Sequence, residues 1–170
     1  MTQQCEVAWF SALCDDDYEF LGVSDPQLQS SWEHCRNIAL TAEKGGFDNI
    51  LLPSGYQLGL DTTVFAAAIA PLLNRMKLLW ATRIGEDWPP QLARRIATLD
   101  RVLGPNAAGT AGRLNVNISS SDMPGQTMPG SERYRRATET IQIVRTLLNG
   151  QHLSHKGEFY ELEQIGRAHV

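Results

Sequence analysis

The chain has 170 residues, of which 42% are hydrophobic and 20% charged, a composition that can bury one core of ordinary globular size. The formal net charge is -4 and no dense run of Lys and Arg occurs, so nucleic acid and an anionic membrane surface are not expected as partners. No window is apolar enough for a bilayer crossing and the first residues lack a secretory pattern, so we expect no membrane span and a cytoplasmic location.

Short apolar runs alternate with longer stretches of helical periodicity, which is the pattern of βα units in a parallel sheet. Four such units can be distinguished. The first helix is expected to begin near Asp25-Pro26, a capping residue followed by a first-turn proline, and to end at Gly45-Gly46. The predicted strands span residues 6–10, 49–53, 77–83 and 113–119, and the later predicted helices span residues 64–73, 89–103 and 131–148.

A hairpin is predicted after the fourth helix, because residues 151–163 hold two strand-like pieces around Lys156-Gly157. A complete (β/α)8 barrel needs eight units and typically about 250 residues. Four units therefore predict an α/β fold that is the N-terminal half of a TIM barrel, truncated before the barrel closes. The alternative is an open doubly wound sheet, but the first strand lacks the G-x-G-x-x-G fingerprint that would place a pyrophosphate there.

The last six residues, 165–170, resemble the translation of a common short-read sequencing adapter. We therefore expect residues 1–164 to form the half barrel and residues 165–170 to be adapter read-through, and Arg167 and His169 receive no functional weight. The alternative is that these residues are native and the agreement is a coincidence.

Polar residues are expected at the carboxyl ends of the strands, where the reacting groups of a parallel barrel lie. Three apolar residues of the fourth strand alternate with Asn115, Asn117 and Ser119, so the polar set is expected to face the barrel interior. An uncompensated buried amide or hydroxyl costs about 1 to 3 kcal/mol, which predicts a bound polar ligand or a water network. For Asn115 alone, an interior network without a ligand is an equal alternative.

The ends of the second and third strands add two hydroxyls and a cation, from Ser54, Thr82 and Arg83. The planar guanidinium of Arg83 suits a tetrahedral oxyanion such as sulfonate or phosphate. Its alternative is a salt bridge to Glu86 or Asp87.

Tyr134, in the first turn of the fourth helix, can place a phenol near a phosphate at the helix N-terminus. Its alternative is ordinary packing, the more frequent role of tyrosine on an amphipathic helix.

No metal site is expected. The acidic run Asp15-Asp16-Asp17 is typical of a solvated surface, and His152 and His155 flank a predicted turn where their rings need not converge. The three cysteines form no C-x-x-C motif and are expected to be reduced thiols, with Cys35 on the apolar face of the first helix.

Short motifs along nearly the whole chain before Gln164 resemble the luciferase-like flavin-dependent monooxygenases, and the alkanesulfonate branch most of all. The combination is more specific than any one of its pieces. These motifs are Trp9-Phe10, Tyr18, Leu21-Gly22, Gly46-Phe47-Asp48, Leu52-Pro53-Ser54-Gly55, Ala81-Thr82-Arg83, Ala93-Arg94, Ala97-Thr98-Leu99-Asp100-Arg101, Gly112-Arg113, Asn117-Ile118-Ser119-Ser120-Ser121-Asp122 and Ser131-Glu132-Arg133-Tyr134.

The resemblance implies a TIM-barrel enzyme that takes reduced FMN from an NAD(P)H-dependent flavin reductase and uses O2 to cleave a carbon-sulfur bond in a small organosulfur substrate. A homo-oligomer is a further expectation from the family. Ser54, Asn117, Ser119 and Tyr134 match family residues that contact the flavin ring or its phosphate. Thr82-Arg83 matches the strand end that lies against the isoalloxazine, with Arg83 as a candidate anion clamp.

The chain departs from the alkanesulfonate pattern at two places. Cys14 stands where those enzymes carry a histidine, and the Gln57-Leu58-Gly59 region stands where they carry a cysteine. The family's remaining catalytic residues would follow Gln164, so the fragment alone is expected to be inactive. Two other functions stay open, a deazaflavin-dependent hydride-transfer oxidoreductase on the same barrel and a non-catalytic flavin-binding relative.

Overall fold

The structure is a computed structural model that describes residues 5–15, 17, 23, 25–56, 59–106, 109 and 112–166. The chain folds as two compact units, Met1–Thr82 with Leu99–Asn117 and Arg83–Thr98 with Ile118–Val170. Some residues named above lie outside the described residues: Asp16, Tyr18, Leu21-Gly22, Gln57-Leu58, Arg167, Ala168, His169 and Val170.

A four-stranded parallel sheet organises the first unit. Its strands, hydrogen-bonded in chain order, are β1 (Ala8–Phe10), β2 (Asn49–Leu52), β3 (Lys77–Arg83) and β4 (Leu114–Ser119). Leu51 lies opposite Phe10 on one side and Leu79 on the other. The amide of Leu78 donates to the carbonyl of Arg113 at 2.9 Å, which joins β3 to the start of β4. The last residues of β3 and β4 belong to the second unit.

The core of the first unit lies on one face of this sheet. Ile50, Leu52, Leu78 and Trp80 are almost fully buried, and the register that aligns Ile50 with Leu78 places all four on the same face. Helices α1 (Trp32–Lys44) and α2 (Thr62–Ile69) supply further buried residues. These are Cys35, Ala39, Ala42, Phe65, Ala66 and Ile69, so the core position predicted for Cys35 is confirmed.

The predicted start of α1 is wrong. Asp25 caps only a 3-10 turn, Pro26–Leu28, by accepting the amide of Gln27 at 2.8 Å. The backbone is extended at Gln29 and again at Ser31, whose hydroxyl accepts the amide of His34 and starts the helix at Trp32. An aspartate followed by proline is only a local signal for a helix start. Here the cap of the longer helix is a serine five residues after the proline.

Two charged side chains hold the segment in front of β3. The carboxylate of Glu43 accepts the backbone amides of residues 74–76 at 2.8 to 2.9 Å. The guanidinium of buried Arg113 donates to the carbonyls of Leu73 at 3.1 Å and Met76 at 3.3 Å. Both therefore satisfy backbone groups that no strand or helix pairs.

The second unit joins a helix to a hairpin. Helix α4 (Gly130–Leu148) packs against β5 (Leu153–Lys156) and β6 (Glu161–Ile165), which pair antiparallel. Ile143 of α4 forms a small core with Tyr160 and Leu162 of the hairpin. Helix α3 (Pro89–Leu103) begins in this unit and ends in the first.

The predicted fold class is confirmed as an α/β chain with a parallel four-stranded sheet and a terminal hairpin in place of a fifth βα unit. Among the helices that the structure describes, none is both long and apolar enough to span a membrane.

Candidate functional site

Polar and apolar side chains alternate along β4. Asn115 and Asn117 are exposed, whereas Leu114, Val116 and Ile118 are half-buried. Because successive strand residues point to opposite faces, the two amides share the face away from the three apolar residues. This is the alternation that the sequence predicts.

Three predicted site residues of the first unit lie toward the carboxyl ends of neighbouring strands. Ser54 is half-buried two residues after β2, and the hydroxyl of Thr62 fixes the backbone before it by donating to the Pro53 carbonyl at 2.5 Å. Asn117 lies in the second half of β4, and Thr82 is next to last in β3. Thr82 is only 4% exposed and lies on the core face with Trp80, so Ser54 and Asn117 are the more accessible of the three.

The second unit brings Arg83 and Ser119 together through a third residue. The guanidinium of Arg83 donates to the hydroxyl of Ser121, whose oxygen lies 3.0 Å from that of Ser119. The Arg83 side chain is 17% exposed. A guanidinium beside two hydroxyls, partly shielded from water, offers several donors to one oxyanion. Ser121 belongs to a family motif but was not predicted as a site residue, because strand periodicity ends before it.

The two salt-bridge alternatives predicted for Arg83 have different outcomes. Glu86 forms an ion pair with Arg83, with its Oε1 4.0 Å from Nε, as one of the two alternatives predicts. Asp87 instead binds Arg95 at 2.6 Å. The salt-bridge alternative therefore holds for Glu86 and not for Asp87, and Arg83 makes the contact with Ser121 in addition.

Tyr134 is 68% exposed on α4, so its phenol is not buried in the core of the second unit. The preceding residue, Arg133, binds the carboxylate of Asp122 and also donates to the Met128 carbonyl at 3.2 Å. The hydrogen bond from Arg133 lowers the pKa of Asp122, although burial opposes the shift. These contacts tie the loop after β4 to the start of α4, where Tyr134 lies.

The loops after β1 and β2 pack closely in the first unit. A Cβ added at Gly55 would lie 2.9 Å from the sulfur of Cys14, and one at Gly59 would lie 2.1 Å from the carbonyl oxygen of Leu13. The amide of Leu60 also donates to that carbonyl at 2.9 Å. Half-buried Cys14 thus lies against the residue that follows Ser54. Sequence reasoning missed this contact, and the glycine after Ser54 was its only signal.

Two of the residues not expected to bind a metal, Asp17 and His155, form ion pairs. His34 and Asp17 lie 2.6 Å apart, and His155 lies 2.9 Å from Glu139. Within the described part of the chain, no three His, Cys, Asp or Glu side chains converge as a metal site would require.

Two buried charged residues were not predicted from the sequence, because their partners are distant in the chain. Arg136 is buried and donates to the carbonyl of Ile84, 52 residues earlier. Glu139 is buried against the hairpin, where it binds His155 and two backbone amides. In the sequence, neither residue differs from the ordinary charged residues of an amphipathic helix.

A parallel βα sheet with amide, hydroxyl and guanidinium groups toward its carboxyl ends defines a class, the α/β proteins that bind ligands at their strand ends. The family is a narrower assignment than this fold class. Residues 20–169 match the luciferase-like monooxygenases, and the chain belongs to this family.

Two curated relatives match this chain over most of its length. It is 78% identical over 161 residues to the sulfoquinovose monooxygenase of Novosphingobium aromaticivorans, a match covering 95% of this chain and 44% of that protein. It is 46% identical over 160 residues to the sulfoquinovose monooxygenase of Agrobacterium fabrum, covering 94% of this chain and 40% of that protein. The chain thus spans less than half the length of these relatives.

Solved structures with the same fold are more distant in sequence. The oxygenating constituent of 3,6-diketocamphane monooxygenase from Pseudomonas putida, in complex with FMN, has a TM-score of 0.69 at 18% identity, over 92% of this chain and 43% of its own. The coenzyme F420 dependent tetrahydromethanopterin reductase from Methanopyrus kandleri has a TM-score of 0.71 at 18% identity, over 95% and 46%. Because the first of these proteins binds FMN and the second depends on coenzyme F420, the shared fold does not by itself select a cofactor.

Proposed function

We propose that the whole protein carrying this chain is a monooxygenase that uses reduced FMN and O2 to cleave the carbon-sulfur bond of a sulfonated sugar, with sulfoquinovose as the first candidate. The observation that carries the proposal is the 78% identity over 161 residues to a sulfoquinovose monooxygenase. A sulfonated sugar replaces the simple alkanesulfonate expected from the motifs, because both curated relatives bear the sulfoquinovose name.

The exposure of three predicted polar residues supports the proposal. Asn117 is exposed on β4, Ser54 is half-buried after β2, and the Tyr134 phenol is exposed on α4. We propose that Ser54, Asn117 and Ser119 hydrogen-bond the flavin and that Tyr134 contacts its phosphate. Reduced FMN, when bound, supplies the electrons that activate O2.

Arg83 is the proposed anion clamp. Its guanidinium has a planar array of donors, and its contact with Ser121 fixes the side chain before a ligand binds. A preorganised donor loses little conformational entropy when it binds an oxyanion, which favours affinity for the sulfonate. Thr82, buried next to it, is proposed to hold the strand end in place from the core side.

A separate flavin reductase is the proposed source of reduced FMN, and a homo-oligomer is the proposed assembly. Both extend from the family and concern the whole protein. Reduced flavin is itself reactive toward O2, so the site must take it up and exclude bulk water before the substrate is oxidised.

The direct experiment supplies the whole protein with reduced FMN, O2 and sulfoquinovose and measures sulfite. The proposal expects sulfite release that depends on all three and is much faster than with a linear alkanesulfonate. Reduced coenzyme F420 replaces FMN in a parallel reaction. Hydride transfer from that coenzyme, without O2 consumption or sulfite, would instead support the deazaflavin alternative, and flavin binding without turnover would support a non-catalytic relative.

A further inference from the structure

Arg136 of the second unit is a buried cation without a described counter-ion. The residue is 8% exposed, and its Nη2 donates to the carbonyl of Ile84 at 3.2 Å. Among the residues that the structure describes, its Nε has no hydrogen-bond partner and no carboxylate oxygen lies within 4.0 Å of its guanidinium. A buried charge in this state is unfavourable until an anion compensates it.

The guanidinium lies face-on against Gly85. A Cβ built at Gly85 would lie 3.0 Å from each of Cζ, Nη1 and Nη2 of Arg136. Gly85 also has a φ of +102°, a region that side-chain-bearing residues rarely adopt. The turn after β3 therefore requires glycine both for its backbone and for the space that Arg136 occupies.

This turn also carries the anion clamp. Ile84 and Gly85 directly follow Arg83, and two residues of chain span at most about 7 Å between Cα atoms. Arg136 thus supports, from α4, the backbone whose preceding side chain binds Ser121. Its guanidinium places a buried positive charge against Gly85, in the turn that follows Arg83, where burial weakens screening by water.

We propose that Arg136 is a positioning residue of an oxyanion site at Arg83, and that its uncompensated charge makes this site selective for sulfonate and sulfate over neutral ligands. This inference rests on the proposed function and deepens it, because it names two guanidinium groups that would recognise the negative charge of the substrate. The competing explanation is that a carboxylate elsewhere in the whole protein neutralises Arg136.

Calorimetric binding of inorganic sulfate and of sulfoquinovose to the whole protein, without flavin or turnover, tests the inference. We expect Arg136→Met to weaken both affinities by about tenfold, because the variant removes a buried positive charge that attracts the anion. Arg136→Lys should recover part of the loss because it keeps the charge. Arg135→Met is the matched control, since Arg135 is exposed and bound to Glu158 at 2.8 Å, and it should bind both ligands like the wild type.

Three results would overturn the inference. They are wild-type affinity in Arg136→Met, an equal loss in the Lys and Met variants accompanied by equal falls in the thermal midpoint, and no sulfate or sulfoquinovose binding by the wild type. Failure of the proposed function would be distinguished by a wild type that binds both anions with these dependences and yet releases no sulfite with reduced FMN and O2.

Discussion

The carboxylate of Glu139 accepts a hydrogen bond from Nε2 of His155 at 2.9 Å and also accepts the backbone amides of Phe159 and Tyr160 at 3.1 and 3.0 Å. Glu139 belongs to α4 and its three partners belong to the hairpin segment. Burial raises the pKa of Glu139, but these hydrogen bonds together lower it below its ordinary value. One buried carboxylate therefore fastens the hairpin of the second unit to its helix.

Replacing Glu139 with Gln should loosen the hairpin. The neutral amide has one oxygen, so at least one donor loses its acceptor, and we expect a loss of about 1 to 3 kcal/mol of unfolding free energy. Urea unfolding measures the loss, and amide hydrogen exchange over residues 153–165 locates it. Glu158→Gln is the control, because Glu158 is exposed and bound only at the surface to Arg135. Equal effects of the two variants would show that the buried carboxylate has no special role.

A side chain at Gly157 should disturb the same contact. A Cβ there would lie 2.0 Å from Oε1 of Glu139 and 2.5 Å from Nε2 of His155. Gly157→Ala is therefore expected to lower the thermal midpoint by several degrees, the consequence of about 1 to 3 kcal/mol. Gly130→Ala is a matched control, since the nearest atom to a Cβ at Gly130 is 3.7 Å away. A midpoint unchanged by Gly157→Ala would mean that the hairpin can move away at little cost.

Much of the fold follows from local signals that tertiary packing did not override. β3 is a nearly continuous apolar run and α4 is bounded by a polar loop and by Asn149-Gly150, so both were predicted within one residue of their observed bounds. The start of α1 was not, because Asp25-Pro26 is equally good for a short 3-10 turn. The sequence contains two possible capping residues, Asp25 and Ser31, and the structure shows that Ser31 begins the helix.

The site was predictable only in part. Strand ends and alternation are enough to nominate Arg83, Asn117 and Ser119 as candidate site residues. Arg136 and Glu139 lie on α4, where charge is normal, and their partners are 52 and 16 to 21 residues away. Whether a charged helical residue turns inward depends on such distant contacts, which periodicity does not encode.

Acid should weaken the segment in front of β3. Burial raises the pKa of Glu43, but hydrogen bonds from the amides of residues 74–76 lower it below its ordinary value of 4.5. The stabilisation from this lowered pKa is present above that value and is lost as pH falls through the folded-state pKa. The unfolding free energy of Glu43→Gln should therefore differ from that of the wild type more near neutral pH than well below pH 4.5. A difference that does not change with pH would contradict this account.

Removing the amide of Asn117 should weaken flavin binding by the whole protein. In Asn117→Leu a hydrogen bond at the proposed flavin site is lost, and we expect about a fivefold to tenfold rise in the Kd for reduced FMN, measured anaerobically by fluorescence. Asn37→Leu replaces an exposed asparagine of α1 and should leave that Kd unchanged. Equal affinities of Asn117→Leu and the wild type would remove Asn117 from the site.

The KM for sulfoquinovose of the Arg83→Met variant, measured by sulfite release in the whole protein, tests the central proposal most directly. Arg94→Met, which removes an exposed arginine of α3, serves as the control. Loss of a guanidinium that holds the sulfonate should raise KM by at least tenfold in Arg83→Met and leave the control unchanged. A KM equal to that of the wild type, in a variant that still releases sulfite, would contradict the assignment of Arg83 as the residue that binds the sulfonate.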